Sequence, residues 1–189
     1  MELSTDERER LARFRQAADQ DRFRTAWVLA RQILSAHLGV APESLEFVRR
    51  CRTCGETGHG KPALVDGAPW EFSLSHAGGW VLLAVSNVGP VGVDIEAASA
   101  TFAEIAAMVR GPGEAADDLH RLWVRKEAVL KATGDGLAVP MSSFTISPLT
   151  WPADPPLADR LALADLVVPA GYAAAVAVIP DHPAGRLIF

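Results

Sequence analysis

Three things are scarce in this chain, and each scarcity excludes a class of protein. No apolar run approaches the roughly 18 residues that a membrane-spanning helix requires. Only two cysteines occur, in Cys51-Arg52-Thr53-Cys54-Gly55, so no disulfide framework is implied. Positive charge is not in excess either. The formal net charge is −5 over 189 residues, whereas non-specific nucleic-acid binding depends on neutralising many phosphates. The opening Met1 to Arg8 has the charge pattern of a surface helix and not of a signal peptide, which makes the cytoplasm the expected compartment.

What is present suits a globular enzyme-sized unit: 49% hydrophobic and 22% charged residues, enough for one domain or for two small lobes sharing a core. Charge is unevenly spread. Residues 1–60 hold ten arginines against nine acids, while residues 61–189 hold eight basic residues against fourteen acids. The arginine concentration at the front suits a small anionic ligand. Cys51, Cys54 and the nearby His59 offer three metal ligands where a structural zinc site normally takes four. Two reduced thiols on a loop are the expectation; metal binding or a labile disulfide is the alternative.

Turn signals and periodicity divide the chain. A first helix is expected from Glu7 to about Ala18 with Thr5 as its cap, and a second, capped by Asp21 or Thr25, to about Leu38, stopped by Gly39. Arg24 and Arg31 lie two turns apart on a similar face, and Arg24-Thr25 falls at the expected helix start, where free N–H groups favour an anion. Leu45–Arg50 reads as a strand, followed by a loop ending in His59-Gly60-Lys61-Pro62. Gly60 permits a close backbone approach there, and Lys61 offers a point charge. Phe72–Ser75, Trp80–Ser86 and Val91–Glu96 read as consecutive strands. A short helix is expected around Phe102–Val109 and a long one from Glu114 to Thr133, ended by Gly134. Ser143–Ile146, Leu161–Val168 and Tyr172–Ile179 read as strands, and Pro148 to Asp159 as an exposed loop. Helix-then-strands followed by helix-then-strands suggests two similar α/β lobes meeting near residue 97.

The third central strand ends in Asp94-Ile95-Glu96, whose two carboxylates share a face. A solvated strand end is the plain reading; a hard divalent cation is the alternative. On the long helix Glu127 and Lys131 stand one turn apart on one face.

In order, Gly60-Lys61-Pro62, Ser73-Leu74-Ser75-His76 leading to Gly92-Val93-Asp94-Ile95-Glu96, and Trp123-x-x-Lys126-Glu127-x-x-x-Lys131-x-x-Gly134-x-Gly136 resemble the motifs of the two-lobed, Sfp-like 4′-phosphopantetheinyl transferases. That resemblance implies an α+β fold of two similar lobes related by a pseudo-twofold, each a small, mostly antiparallel sheet packed with a helix. The lobes would span residues 1–97 and 98–189, with the active site in the cleft between them. It implies Mg²⁺-dependent transfer of the phosphopantetheine arm of coenzyme A to a serine of an acyl or peptidyl carrier protein, releasing adenosine 3′,5′-bisphosphate. Asp94, Glu96 and Glu127 match the metal ligands, and Lys131 the lysine on the diphosphate. Lys61 and Pro62 match the loop lining the nucleotide end. Ser75 and His76 match residues near the coenzyme A phosphates, and Arg24-Thr25 resembles a segment that grips the 3′-phosphate. Glu127 is the candidate base for the serine proton, directly or through a water on the metal. The implied partners are coenzyme A and a carrier domain from fatty acid, polyketide, nonribosomal peptide or siderophore synthesis. A monomer is implied, with no nucleic acid and no membrane. Many members begin with a further strand before the first arginine-rich helix, and here the sequence starts almost at that helix.

Overall fold

In a computed structural model, which describes residues 3–65, 69–99, 104–115, 118–147, 149–150 and 159–181, the chain opens with a capping box. Ser4 Oγ accepts from the Glu7 amide at 3.2 Å, and the Glu7 carboxylate accepts from the Ser4 amide at 2.7 Å. Two N–H groups that a helix start leaves without partners are thereby satisfied. This cap belongs to Ser4, not Thr5, and helix α1 runs only from Thr5 to Leu11. Helix α2, Ala17–Leu38, begins after extended Gln16, so Asp21 and Thr25 lie inside it instead of capping it. It ends where expected, at left-handed Gly39.

One face of α2 buries Phe23, Trp27, Ala30 and Leu34, at helical spacing. Trp27 meets Phe47 and Phe72 edge-on, with ring centroids 5.0 and 6.3 Å away, and truncating it to alanine would cost about 3–5 kcal/mol. Arg31 joins this core instead of sharing the exposed surface with Arg24. It is 2% exposed and bonds Glu7 through Nε and Nη2, with Nη1 donating to Pro42 and Leu45 carbonyl oxygens at 2.8 and 3.0 Å. A buried guanidinium with its donors satisfied ties α1, α2 and the turn at Pro42–Ser44 together.

Strands β1 (Phe47–Arg50) and β2 (Thr57–Leu64) form an antiparallel pair whose register slips between Arg49 and Arg50. The expected loop ending at His59–Pro62 is therefore largely strand. Its glycines, Gly58 and Gly60, both at positive φ, hide the period-two pattern. Gly60 makes the anticipated close approach: a Cβ there would stand 2.6 Å from the Arg50 carbonyl oxygen.

Hairpin β3–β4 (Glu71–Ala77, Trp80–Ser86) follows. Strand β5 (Val91–Ala97) does not continue that ladder. It pairs with β9 (Tyr172–Val178), which carries β8 (Ala162–Asp165) on its far side. Strand β5 still lies beside β3, because Ser73 and Ser75 hydroxyls accept from the Val93 and Ile95 amides at 3.1 and 3.2 Å. Helix α3 keeps only Ala106–Val109 of the expected segment, and residues 101–103 lie outside the described residues. Helix α4, Leu119–Thr133, starts at Asp118, whose side chain accepts from the Arg121 amide at 3.0 Å. Glu114 is not its first turn, since the carboxylate is engaged by the Gly111 and Ile146 amides and by Lys126.

Helix α4 packs on β5 and β9, burying Leu122, Val124, Ala128, Val129 and Ala132 with Ala175 and Ala177. Gly92 makes the approach possible: a Cβ there would run into the backbone of Ala128, Lys131 and Ala132. The expected strand Ser143–Ile146 shrinks to β6, Thr145–Ile146, paired with β7, Leu149–Thr150. Expected Leu161–Val168 shrinks to β8. Most of the expected Pro148–Asp159 loop and the tail from residue 182 lie outside the described residues. Among the described residues, helices and small antiparallel sheets make up an α+β fold.

Candidate active site

Gly92, Asp94 and Glu96 fall on one face of β5, and Gly92 shows that this face looks at α4. Ile95 points the other way, 1% exposed among Ala77 and Ala174. The alternation thus delivers Asp94 to the helix surface carrying Glu127 and Lys131. Asp94 itself is 3% exposed. Its Oδ1 accepts from Ser75 Oγ on β3 at 2.8 Å and from Lys131 Nζ on α4 at 2.6 Å. Lys131 also reaches Ser75 Oγ at 3.1 Å. Three elements far apart in sequence converge on one carboxylate oxygen.

The other oxygen, Oδ2, is buried and has no hydrogen-bond partner among the described residues. An acceptor left in that state costs on the order of 1–3 kcal/mol, and more when it is charged. Glu96 and Glu127, each half-buried, are near enough to feel the charge of Asp94. Burial, and then the negative charge of Asp94, pushes the Glu96 carboxyl above its usual range. The same two causes raise Glu127, with Glu96 adding to the push and Lys131 opposing it. One lysine faces three mutually repelling carboxylates. His120 Nε2 donates to the Glu96 carbonyl oxygen at 2.9 Å and holds the strand end to α4. Among the described residues these carboxylates are not drawn together as closely as Cys51, Cys54 and His59, whose donor atoms all lie within 4.8 Å of one another.

The remaining expected site residues are dispersed. His76, next after Ser75, is exposed. Packing around its ring, and then the positive charges of Arg22 and Lys131, holds its pKa below the usual value. Arg22, which sequence reasoning passed over, donates to the Gly78 carbonyl oxygen at 2.8 Å and pairs with Asp19. Arg24 and Thr25 are both exposed, but they lie two turns inside α2, so no free N–H groups accompany them as expected. The cause is the start at Ala17: two alanines propagate the helix well before Thr25. Lys61 and Pro62 sit in β2. Lys61 Nζ stands 3.2 Å from Glu71, and burial outweighs that partner in lowering its pKa.

Lys126, central to the sequence motif, turns out to be structural. It is 0% exposed and donates to the Val109, Met141 and Phe144 carbonyl oxygens at 2.7, 2.8 and 2.6 Å, with Glu114 as its countercharge at 2.7 Å.

Comparison with known proteins bears on this geometry. Residues 90–177 match the family described as the 4′-phosphopantetheinyl transferase superfamily, and residues 1–88 match 4′-phosphopantetheinyl transferase, N-terminal. The 4′-phosphopantetheinyl transferase HetI of Nostoc sp. is 32% identical over 194 residues, covering 93% of this chain and 78% of that protein. The chain belongs to the 4′-phosphopantetheinyl transferases. A second family member, Sfp of Bacillus subtilis, is 28% identical over 155 residues, covering 76% of this chain. A putative family member of Synechocystis sp. is 34% identical over 152 residues, covering 72% of it. The matched regions span 66% and 58% of those two proteins, so the chain spans about two thirds or less of their length.

Proposed function

We propose that the protein transfers the phosphopantetheine arm of coenzyme A to a serine hydroxyl of an acyl or peptidyl carrier domain, and that Asp94 is the centre of its active site. The observation that carries this is the orphaned Oδ2 of Asp94, buried beside two carboxylates whose pKa values are raised. An all-oxygen donor set with one unmet buried acceptor and an excess of negative charge fits a hard divalent cation such as Mg²⁺. Asp94, Glu96 and Glu127 would hold it. When bound, Mg²⁺ would neutralise charge on the diphosphate of coenzyme A.

The chain's own residues supply the rest. Lys131, already on Asp94, is placed to exchange part of that contact for a diphosphate oxygen. Ser75 fixes Asp94 through its hydroxyl and leaves the carboxylate oriented. His76, Arg24 and Thr25 offer exposed groups for the 3′-phosphate, and Lys61 and Pro62 a wall for the nucleotide. The carrier serine oxygen bonds to the β-phosphorus, the bond from that phosphorus to the bridging oxygen breaks, and the nucleotide leaves with it. The serine proton passes to Glu127, directly or through an intervening water; a carboxylate that also holds the cation has its pKa lowered, which favours the route through water. Positioning and charge neutralisation account for most of the acceleration. We place these groups in a cleft between two pseudo-twofold lobes, residues 1–97 and 98–189, in a monomer, with β5 at the end of the first lobe paired to β9 of the second.

The test is a panel of apo carrier domains incubated with coenzyme A and Mg²⁺ and then weighed by mass spectrometry. The reading expects at least one carrier to gain one phosphopantetheine, with adenosine 3′,5′-bisphosphate released in equal amount. Coenzyme A breakdown without carrier would point to a phosphohydrolase, and no mass gain across a broad panel would point to a silent binding module.

A further inference from the structure

The tip of the β1–β2 hairpin holds a group of side chains that the transferase chemistry does not use. Cys51 follows β1 directly, Cys54 sits three residues later, and His59 lies in β2. Their sulfur and nitrogen atoms all fall within 4.8 Å of one another, and Cys54 Sγ stands 3.4 Å from His59 Nε2. With metal–sulfur bonds of about 2.3 Å and metal–nitrogen bonds of about 2.0–2.1 Å, a tetrahedral zinc site has a sulfur–nitrogen edge of about 3.6 Å. The observed separation is close to that edge.

The backbone is arranged to match. The Gly55 amide donates to the Cys51 carbonyl oxygen and the Cys51 amide to that of Glu56, both at 2.9 Å, closing the turn on itself. Gly55, at φ 75°, reverses the chain immediately after Cys54. Residues 52–59 are all exposed, so apolar packing does not account for bringing two soft donors and an imidazole together.

We propose that Cys51, Cys54 and His59 bind a thiophilic, tetrahedral cation, Zn²⁺, which clips the hairpin tip. Two thiolates and a neutral imidazole select zinc over magnesium, so the site is chemically distinct from the all-oxygen group around Asp94. Binding releases the two thiol protons. The fourth position is open to water or to Glu56, whose Oε2 lies 4.0 Å from His59 Nε2. The clip acts on the rest of the molecule through Arg52, inside the knuckle. Its Nη1 donates to the Thr133 carbonyl oxygen at 2.6 Å, and its Nε lies 3.8 Å from Asp135, at the end of α4 just beyond Lys131. On the other side the knuckle leads along β2 to Lys61. A filled site therefore fixes the hairpin against the helix that carries Lys131.

The inference does not rest on the transferase reading, and its test does not read activity. Reduced, metal-free full-length protein is titrated anaerobically with Co²⁺ and then Zn²⁺. The expected result is one equivalent of Co²⁺ with thiolate-to-metal charge transfer and tetrahedral ligand-field bands, displaced by Zn²⁺ and unaffected by excess Mg²⁺. Zinc should also slow thiol labelling of both cysteines at least tenfold. Cys54→Ser and His59→Ala should each lose the spectrum, while Asp94→Asn should keep it. Should either knuckle variant fail to fold, labelling protection in the wild type decides alone. Absence of charge transfer, unprotected thiols, a spectrum retained in folded Cys54→Ser, or a Cys51–Cys54 disulfide in protein isolated under nitrogen would each overturn the proposal.

Discussion

Asp94 makes demands that the chain by itself does not meet. One oxygen has two strong partners and the other has none among the described residues, in a site 3% exposed. On our reading a divalent cation completes it. The chain's three lysines, Lys61, Lys126 and Lys131, divide the work: one faces Glu71, one is sunk in carbonyl oxygens, and one serves Asp94. His76 carries a separate prediction. Packing around its ring, and then Arg22 and Lys131, depress its pKa, so a bound phosphate would raise that pKa and be held more tightly as pH falls through it. His76→Ala should raise KM for coenzyme A about tenfold more than for 3′-dephospho-coenzyme A and remove this pH dependence. Equal losses for both substrates would contradict a 3′-phosphate contact. At this scale the sequence was informative about residue types and poor about surroundings. The same-face relation of Asp94 and Glu96 follows from strand alternation alone. That Lys126 is buried and Lys131 half-exposed does not, because both lie on one helix and only the strands and turns packed around it distinguish them.

The close crossing of α4 over β5 is what turns that alternation into a site. Gly92→Ala would push a methyl group into the backbone of α4, at a cost of about 1–3 kcal/mol from overpacking. The denaturation midpoint should fall accordingly, and the Lys131–Asp94 contact should loosen; an unchanged midpoint would mean that the helix rides higher than described. The Lys126–Glu114 pair anchors the same helix from its other side. Burial raises the Glu114 carboxyl, but bonds from Lys126 and from the Ile146 and Gly111 amides outweigh it and hold the pKa below 4.5. A depressed carboxylate pKa contributes stability above the unfolded-state value and loses it as pH falls through the folded value. Glu114→Gln should therefore be less stable than wild type at pH 7, with the difference narrowing below pH ~4.5. Lys126→Met, which strands a buried carboxylate, should cost about 3–5 kcal/mol at neutral pH. Chemical denaturation at a series of pH values reads both, and a difference independent of pH would remove Glu114 from the argument. Helices and hairpins with clear periods, such as the end of α2 at Gly39 and the strand Trp80–Ser86, were legible in the sequence. Strand β2 was not, since positive-φ glycines interrupt it. The α1–α2 break was misplaced for another reason: α1 stops at Leu11 and α2 starts after Gln16, and no glycine or proline marks the connection.

Across the whole molecule, the candidate site lies where elements from distant parts of the chain meet: Ser75 from β3, Asp94 from β5, Glu127 and Lys131 from α4. Serine side chains of β3 bond the backbone of β5, and Arg52 in the β1–β2 connection reaches the end of α4. No helix among the described residues is long and apolar enough to cross a membrane. Sequence pattern identified which motifs belong together, and it could not supply the pairing of β5 with β9, because that ladder joins segments about eighty residues apart. The most direct measurement is single-turnover transfer to an accepting apo carrier, followed by mass spectrometry, for wild type and folded Asp94→Asn at matched Mg²⁺. Our reading predicts complete conversion by wild type, none when a chelator removes the cation, and a rate at least a thousandfold lower for Asp94→Asn. Transfer by Asp94→Asn at the wild-type rate would contradict it.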